Sequence, residues 1–218
     1  MGRFFITFLV WAICYATCKA QTSKPDTIYA EYVQEEIQLD GKPDEAVWKR
    51  AVHINNFTQR ELNIGEPATE RTEVAILYTA KTLYIGFWGY DRNPQKIIAR
   101  EMKRDFDWGG EDNFEVIIDT YNDDRNGFLF AINPNAARAD AQVLNNGESF
   151  NKFWNGVWDA KTTITDEGWF AEIAIPFSTL KFPSDAQEQI WGINFERNIR
   201  RKREQLLWQG WSRDSELE

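Results

Sequence analysis

From residue 72 onward the chain adopts a hydrophobic period of two and keeps it, and this constrains the fold more than any other feature. TEVAILYTAKTLYIGFWGYD holds two alternating runs about a short Thr-Ala-Lys-Thr connection. In the second, Leu83, Ile85 and Phe87 face one way and Tyr84, Trp88 and Tyr90 the other. Side chains of a strand alternate between its faces, so this pattern predicts strands with two differently covered sides. NFEVIIDTYN repeats it, setting Phe114, Val116 and Ile118 against Glu115, Ile117 and Asp119. DDRNG ends in Asn-Gly, which favours a tight hairpin turn, and leads into GFLFAINPN. WDAKTTITDEGWFAEIAIPF predicts another hairpin, turning at Asp166, Glu167 and Gly168, and IWGINFERNI and EQLLWQGW read as the last strands.

The remaining stretches are brief. QTSKPDTIYAEY leads into an early strand, and FTQRELNIGEPATERT reads as a strand end and a polar loop. ARADAQVLNN is followed by a loop around Asn155-Gly156. LDGKPDEAVWKRA predicts a turn and a short helix. Its Pro43 sits at an N-terminal helix position, and Lys49 and Arg50 lie where the helix dipole favours cations. PFSTLKFPS predicts one helical turn between prolines. Ten or so short strands with one or two short helices predict an all-β fold, an antiparallel, jelly-roll-like β-sandwich over residues 35–218, with residues 21–34 as a lead-in. No repeat or Pro/Ser linker divides it.

Residues 1–20 read as an export signal. Arg3 precedes the apolar run FFITFLVWAI, and Cys18 and Ala20 supply small-residue positions before Gln21. The run falls short of the roughly 20 apolar residues a membrane-spanning helix needs. Lipoprotein processing at Cys14 or Cys18 is the rival reading, but the flanking residues lack the usual leucine and small-residue pattern. Export implies periplasm, outer membrane or the extracellular space. Both cysteines lie in this segment, so the rest of the chain has no disulfide, thiolate metal site or cysteine nucleophile. The segment also carries Arg3 and Lys19 and no acid, so its loss makes the chain more acidic than its net charge of −9. That balance argues against nucleic acid, whose binding rests on phosphate neutralisation.

His53 is the single histidine, which excludes His-rich zinc sites and leaves a Ser-His-Asp triad resting on one residue better read as structural. Two carboxyl groups about 5 to 10 Å apart suffice for a glycosidase. Glu111, Asp112, Glu115 and Asp119 are the candidates, although such pairs arise by chance in so acidic a chain. TYNDDRNG offers Asp123 and Asp124 as oxygen ligands for a structural calcium, without the spacing of an EF-hand, and Asx and Gly also suit a plain turn. Nine of the ten tryptophans follow the export segment. A sugar site needs flat apolar platforms beside hydrogen-bonding groups, and Trp88, Trp108, Trp154, Trp158, Trp208 and Trp211 have polar neighbours. Trp48 and Trp169, among alternating apolar residues, read as core.

The order LDGKPDEAVWKRA, TEVAILYTAKTLYIGFWGYD, EDNFEVIID, GWFAEIAIPFSTL and WGINFERNIRR resembles the family 9 carbohydrate-binding modules over residues 35 to about 214. More closely, it resembles the amino-terminal module of large secreted or outer-membrane bacterial proteins with a long carboxy-terminal region. The resemblance implies a two-sheet sandwich, often with structural calcium, that binds polysaccharide or oligosaccharide and is attached to glycoside hydrolases or similar proteins. It places Trp108 as one sugar platform and Trp208 or Trp211 as the second, with Glu115 and Asp112 accepting from sugar hydroxyls. The arginine it expects on the strand paired with Glu115 is absent; Ala131 stands there. It also implies a membrane-associated carboxy-terminal region beyond SRDSELE, with the final strand missing. A structural module docking onto that region, and a glycoside hydrolase in its own right, are the alternatives.

Overall fold

A computed structural model describes residues 27–183 and 188–209. It contains β1 (Glu31–Tyr32), α1 (Ala46–Arg50), β2 (Thr58–Glu61), β3 (Thr72–Tyr78), β4 (Thr82–Tyr90), β5 (Asn113–Asp119) and β6 (Gly127–Ile132). These are followed by β7 (Arg138–Leu144), β8 (Ser149–Asn151), β9 (Asp159–Ile164), β10 (Gly168–Pro176), β11 (Gly192–Ile199) and β12 (Glu204–Leu207). Two sheets form: a five-stranded one ordered β1-β3-β4-β10-β9, and a seven-stranded one ordered β2-β12-β11-β5-β6-β7-β8. Every pairing is antiparallel except β1 with β3. The chain is therefore an all-β sandwich, as the period-two runs predict.

The core lies between the sheets. Ile85 and Phe87 of β4, Trp169 and Ile173 of β10, Phe114 and Val116 of β5, Phe130 of β6 and Phe195 of β11 are buried there. Phe87 stacks on Phe114 at 4.2 Å between ring centroids and leans on Trp169 at 4.5 Å, so aromatic contacts carry much of the joint between the sheets.

The other face of the five-stranded sheet is covered by the segment ending in α1. Trp48 packs there with Ala75, Leu77, Tyr84, Trp88 and Phe170. A Cβ on Gly86 would come within 3.0 Å of the Trp48 ring, so a glycine lets the helix seat this closely. Glu172, fully buried on β10, accepts from the Asp40 and Gly41 amides at 2.8 and 3.0 Å and from Trp48 Nε1 at 3.1 Å. Gly41 has φ +86°, and a Cβ there would lie 2.6 Å from the Thr162 backbone. Pro43 lies in the turn rather than at the start of α1, where Glu45 is the N-cap. The short helix is as the sequence pattern predicts, and the packing of Trp48 and the Glu172 anchor hold it in place.

Candidate functional site

The outward face of the seven-stranded sheet follows from the alternation that fills the core. Phe114, Val116 and Ile118 point inward, which turns Asn113, Glu115 and Ile117 outward. On β11, Phe195 and Arg197 lie inward and Asn194, Glu196 and Asn198 outward. The antiparallel register sets Glu196 opposite Glu115 and Asn198 opposite Asn113. On the other side of β5, Ala131 stands opposite Glu115 on β6, so the position where the resemblance calls for arginine holds a methyl group.

Amides link this face into one strip. Asn198 Nδ2 donates to Asn113 Oδ1 at 2.9 Å, to Glu196 Oε1 at 2.6 Å and to Glu115 Oε1 at 3.3 Å. Gln205 Nε2 of β12 donates to Glu196 Oε1 at 2.6 Å. At the far end, Asn113 Nδ2 donates to the Trp108 carbonyl, which also accepts from Arg200 Nη2 at 3.3 Å. Glu115 is 7 % exposed, whereas Glu196, Gln205, Arg200 and Arg60 are half-buried. The accessible polar atoms therefore come from Glu196 and its neighbours, with Glu115, Asn113 and Asn198 as the layer beneath.

Trp108 opens a short turn, Trp108–Gly110, capped by Asp107, which accepts from the Gly109 amide at 3.1 Å. The preceding segment lies over β6 and β7, where Phe106 is buried with Leu129, Ala131, Ala137, Ala139 and Val143. Trp108 packs half-buried against this cluster. Lys152 Nζ stands over its ring, 4.3 Å from the centroid. A sugar stacking on that face has to displace the ammonium, and an exposed cation–π contact is worth only about 0.5–1 kcal/mol.

The electrostatics of this face are set by burial. Burial, then the Glu196 charge beside it, pushes the Glu115 carboxyl well above the usual range, against the pull of Arg200 and Arg60. Burial raises Glu196 as well, although the Gln205 and Asn198 hydrogen bonds oppose it. Asp112, the first acid before β5, lies elsewhere. It is 2 % exposed, and its Oδ1 accepts from the Arg200 amide at 2.8 Å. Burial raises its pKa, and its position makes it a brace for the turn after β11 rather than part of the outward strip. Glu111 likewise accepts from the Arg100 and Glu101 amides at 3.0 and 2.7 Å and from Asn133 Nδ2 at 2.9 Å, which fixes the loop that carries Trp108.

Trp208 is 5 % exposed and lies in the inter-sheet core, its ring 5.8 Å from that of Phe195. It cannot face a sugar held by Trp108, because β12 turns it inward. Trp211 lies outside the described residues. Trp158, 5 % exposed, donates through Nε1 to the buried Asp140 at 2.8 Å, and Trp48 and Trp169 are core as expected. His53 donates from Nε2 to the Trp48 carbonyl at 2.9 Å and sets Nδ1 2.9 Å from Glu73, a structural role.

Asp123 and Asp124 sit in a turn that Asp119 organises. The Asp119 carboxylate accepts from the amides of Tyr121, Asn122, Asp123 and Asp124 at 2.8 to 3.0 Å. Asp123 Oδ1 accepts from the Arg125 and Asn126 amides at 2.9 and 3.2 Å. Asn122 and Asp124 adopt positive φ, as turn residues do. The Asp119 and Asp123 carboxylates are engaged by backbone N–H groups, and among the described residues no group of three or more His, Cys, Asp or Glu could hold a metal.

Sequence reasoning missed Glu196, Asn198 and Gln205. The alternation in NFERN placed two of them on one face, but the neighbour of that face depends on strand order.

Known proteins share this architecture. A carbohydrate binding module family 9 protein from Caldicellulosiruptor kristjanssonii, solved with cellotriose, aligns with a TM-score of 0.55 and 14 % identity over 83 % of this chain and 84 % of that one. The same organism's module solved with glucose aligns at 0.57, with 15 % identity over 83 % and 85 %. A candidate carbohydrate-binding protein from Bacteroides uniformis aligns at 0.64, with 12 % identity over 84 % and 90 %. No curated protein matches. The model for the carbohydrate family 9 binding domain-like family matches residues 39–214, more than three quarters of the sequence, and the chain belongs to that family.

Proposed function

We propose that this protein is the non-catalytic carbohydrate-binding module of an exported protein, holding plant-type polysaccharide or oligosaccharide ends on the outward face of the seven-stranded sheet. One observation carries the site: the amide–carboxylate strip from Glu196 and Glu115 through Asn198 and Asn113 ends on the carbonyl of half-exposed Trp108. An apolar ring face beside a row of acceptors and donors matches the two surfaces of a pyranose, its C–H face and its hydroxyl rim. The family supplies the ligand class, and the apolar start of the chain supports export. Titration with cello- and xylo-oligosaccharides, followed by tryptophan fluorescence and calorimetry, tests the reading. Binding that Trp108→Ala removes supports it, and a folded protein that responds to neither series contradicts it.

A second reading, a module that docks on protein, draws on one observation. Phe150, Phe153 and Val157, around Lys152, are exposed at 46 %, 95 % and 76 %. It predicts no oligosaccharide binding at all.

A further inference from the structure

The resemblance marks Glu115 for sugar binding but not Glu196 beside it, and the surroundings of the pair decide what it is. The two side chains stand directly opposite on neighbouring antiparallel strands and on the same face. Residues in this relation have Cβ atoms only about 4.5–5.5 Å apart, and like charges there repel. One amide nitrogen, Asn198 Nδ2, reaches both carboxylates, and Gln205 Nε2 reaches Glu196 alone.

The neighbouring elements set few charges against the pair, and β2 places a further acid, Glu61, opposite Gln205. β5 contributes Asn113 and Ile117 and β6 contributes Ala131, none of them charged. β11 adds Asn194 and Asn198, and β12 adds Gln205 and Leu207. Arg60 of β2 and Arg200, just beyond β11, are the cations that act on the pair. Arg200 has part of its guanidinium engaged by the Glu111 and Trp108 carbonyls at 3.3 Å. Two nearby anions, one buried and one half-buried, with amides rather than cations between them, reach a lower energy when one carries a proton.

We propose that Glu115 and Glu196 hold one proton between them above the pH at which an ordinary glutamate loses it, and so offer a ligand one O–H donor beside carboxylate acceptors, a surface matched to adjacent sugar hydroxyls rather than to a cation. The proton comes from solvent and no covalent bond changes. The ligand half of this statement rests on the sugar-binding reading; the proton half does not. With Ala131 opposite Glu115, β6 supplies no guanidinium, and the proton adds to the pull of Arg200 and Arg60.

The test is a carbon-13 NMR titration of the glutamate carboxyl groups in the full, ligand-free chain. A carboxyl assigned to Glu115 or Glu196, apart from that of buried Glu172, titrating above the ordinary glutamate range is the expected result. In Glu196→Gln that titration moves to lower pH, since the neighbouring charge is gone while burial remains. Glu115 and Glu196 both titrating in the ordinary range in the wild type, or a Glu115 titration unmoved in Glu196→Gln, overturns the proposal, and the wild-type result decides even if the variant does not fold. Calcium chloride is the second probe. An unchanged titration supports the acid pair, and collapse of the raised titration on calcium addition assigns the pair to a cation and overturns it. In a third arm, bound cellotriose shifts the raised titration; bound cellotriose that leaves it unmoved overturns the ligand half. A raised titration in a protein that binds no sugar sinks the sugar-binding reading and leaves the proton in place.

Discussion

Two groups of buried acids are reached from β11 and the turn that follows it, and they are neutralised in different ways. At one end of the sandwich, Glu70 and Asp91 face cations. Arg201 grips Asp91 with two bonds of 2.5 and 2.7 Å, Lys202 binds Glu70, and Arg92 Nε lies 3.2 Å from Glu70. Burial pushes the Glu70 carboxyl up, but the hydrogen bonds from Lys202 and Arg92 outweigh it and hold it below the usual value. On the outward face, Glu115 and Glu196 face each other, and both rise. Burial alone therefore does not set the state of an acid here; the partner does. The first group is a clasp between the sheets, and the second is a polar surface bridged by amides, where burial outweighs the pull of Arg60 and Arg200.

The largest effect is expected at the clasp. Arg201→Met leaves Asp91 buried and unpaired, and breaking a buried pair in this way costs roughly 3–5 kcal/mol. Chemical denaturation measures it, and a loss below about 1 kcal/mol would show that the two clusters are less different than their geometry implies.

A pH series sharpens the contrast, because the two groups have opposite signs. Glu70 has a lowered folded pKa, so its contribution is present above the unfolded value of about 4.3 and is lost as pH falls through the folded value. Glu115 and Glu196 have raised folded values, so the folded state keeps a proton that the unfolded chain gives up above about pH 4.3. Stability from this pair is complete below that pH and declines as pH rises toward the folded value. Glu196→Gln is expected to flatten the decline on the alkaline side and leave the acid side unchanged. At neutral pH it should raise stability slightly, by about 0.2–1 kcal/mol, the size of a cross-strand pair. Urea unfolding midpoints across the pH range give the answer.

The smallest expected effect concerns the platform. Lys152→Ala frees the Trp108 ring and should strengthen oligosaccharide binding about 2- to 5-fold, the equivalent of one exposed cation–π contact. Calorimetry with cellotriose checks it, and weaker binding would assign Lys152 to the ligand instead of to the empty ring.

The inner half of this molecule was legible in the sequence. Phe114, Val116 and Ile118 were separable from Glu115 by period alone, but the tight Asn-Gly turn was not found: Gly127 already opens β6, and the loop over 120–126 that Asp119 organises is what sets Ala131 beside Glu115. Three other features were not. β8 is three residues long and pairs at a sheet edge, with no buried side to impose alternation. Trp158 and Trp208 look polar-flanked along the chain, yet neighbours in a strand face opposite ways, so their polar flanks say nothing about their own side. The Glu115–Glu196 pairing depends on β11 returning beside β5 after a long excursion through the other sheet. Strand order of that kind is settled by packing of whole sheets, and no local signal carries it.

The central claim is that the face around Trp108 and Glu196 takes the sugar, and residue-resolved NMR during a cellotriose titration tests it most directly. The perturbed amide and indole signals are expected to cluster at Trp108, Asn113, Glu115, Lys152, Glu196, Asn198 and Gln205. Perturbations confined to the five-stranded sheet, or spectra unchanged by saturating cellotriose, would contradict it.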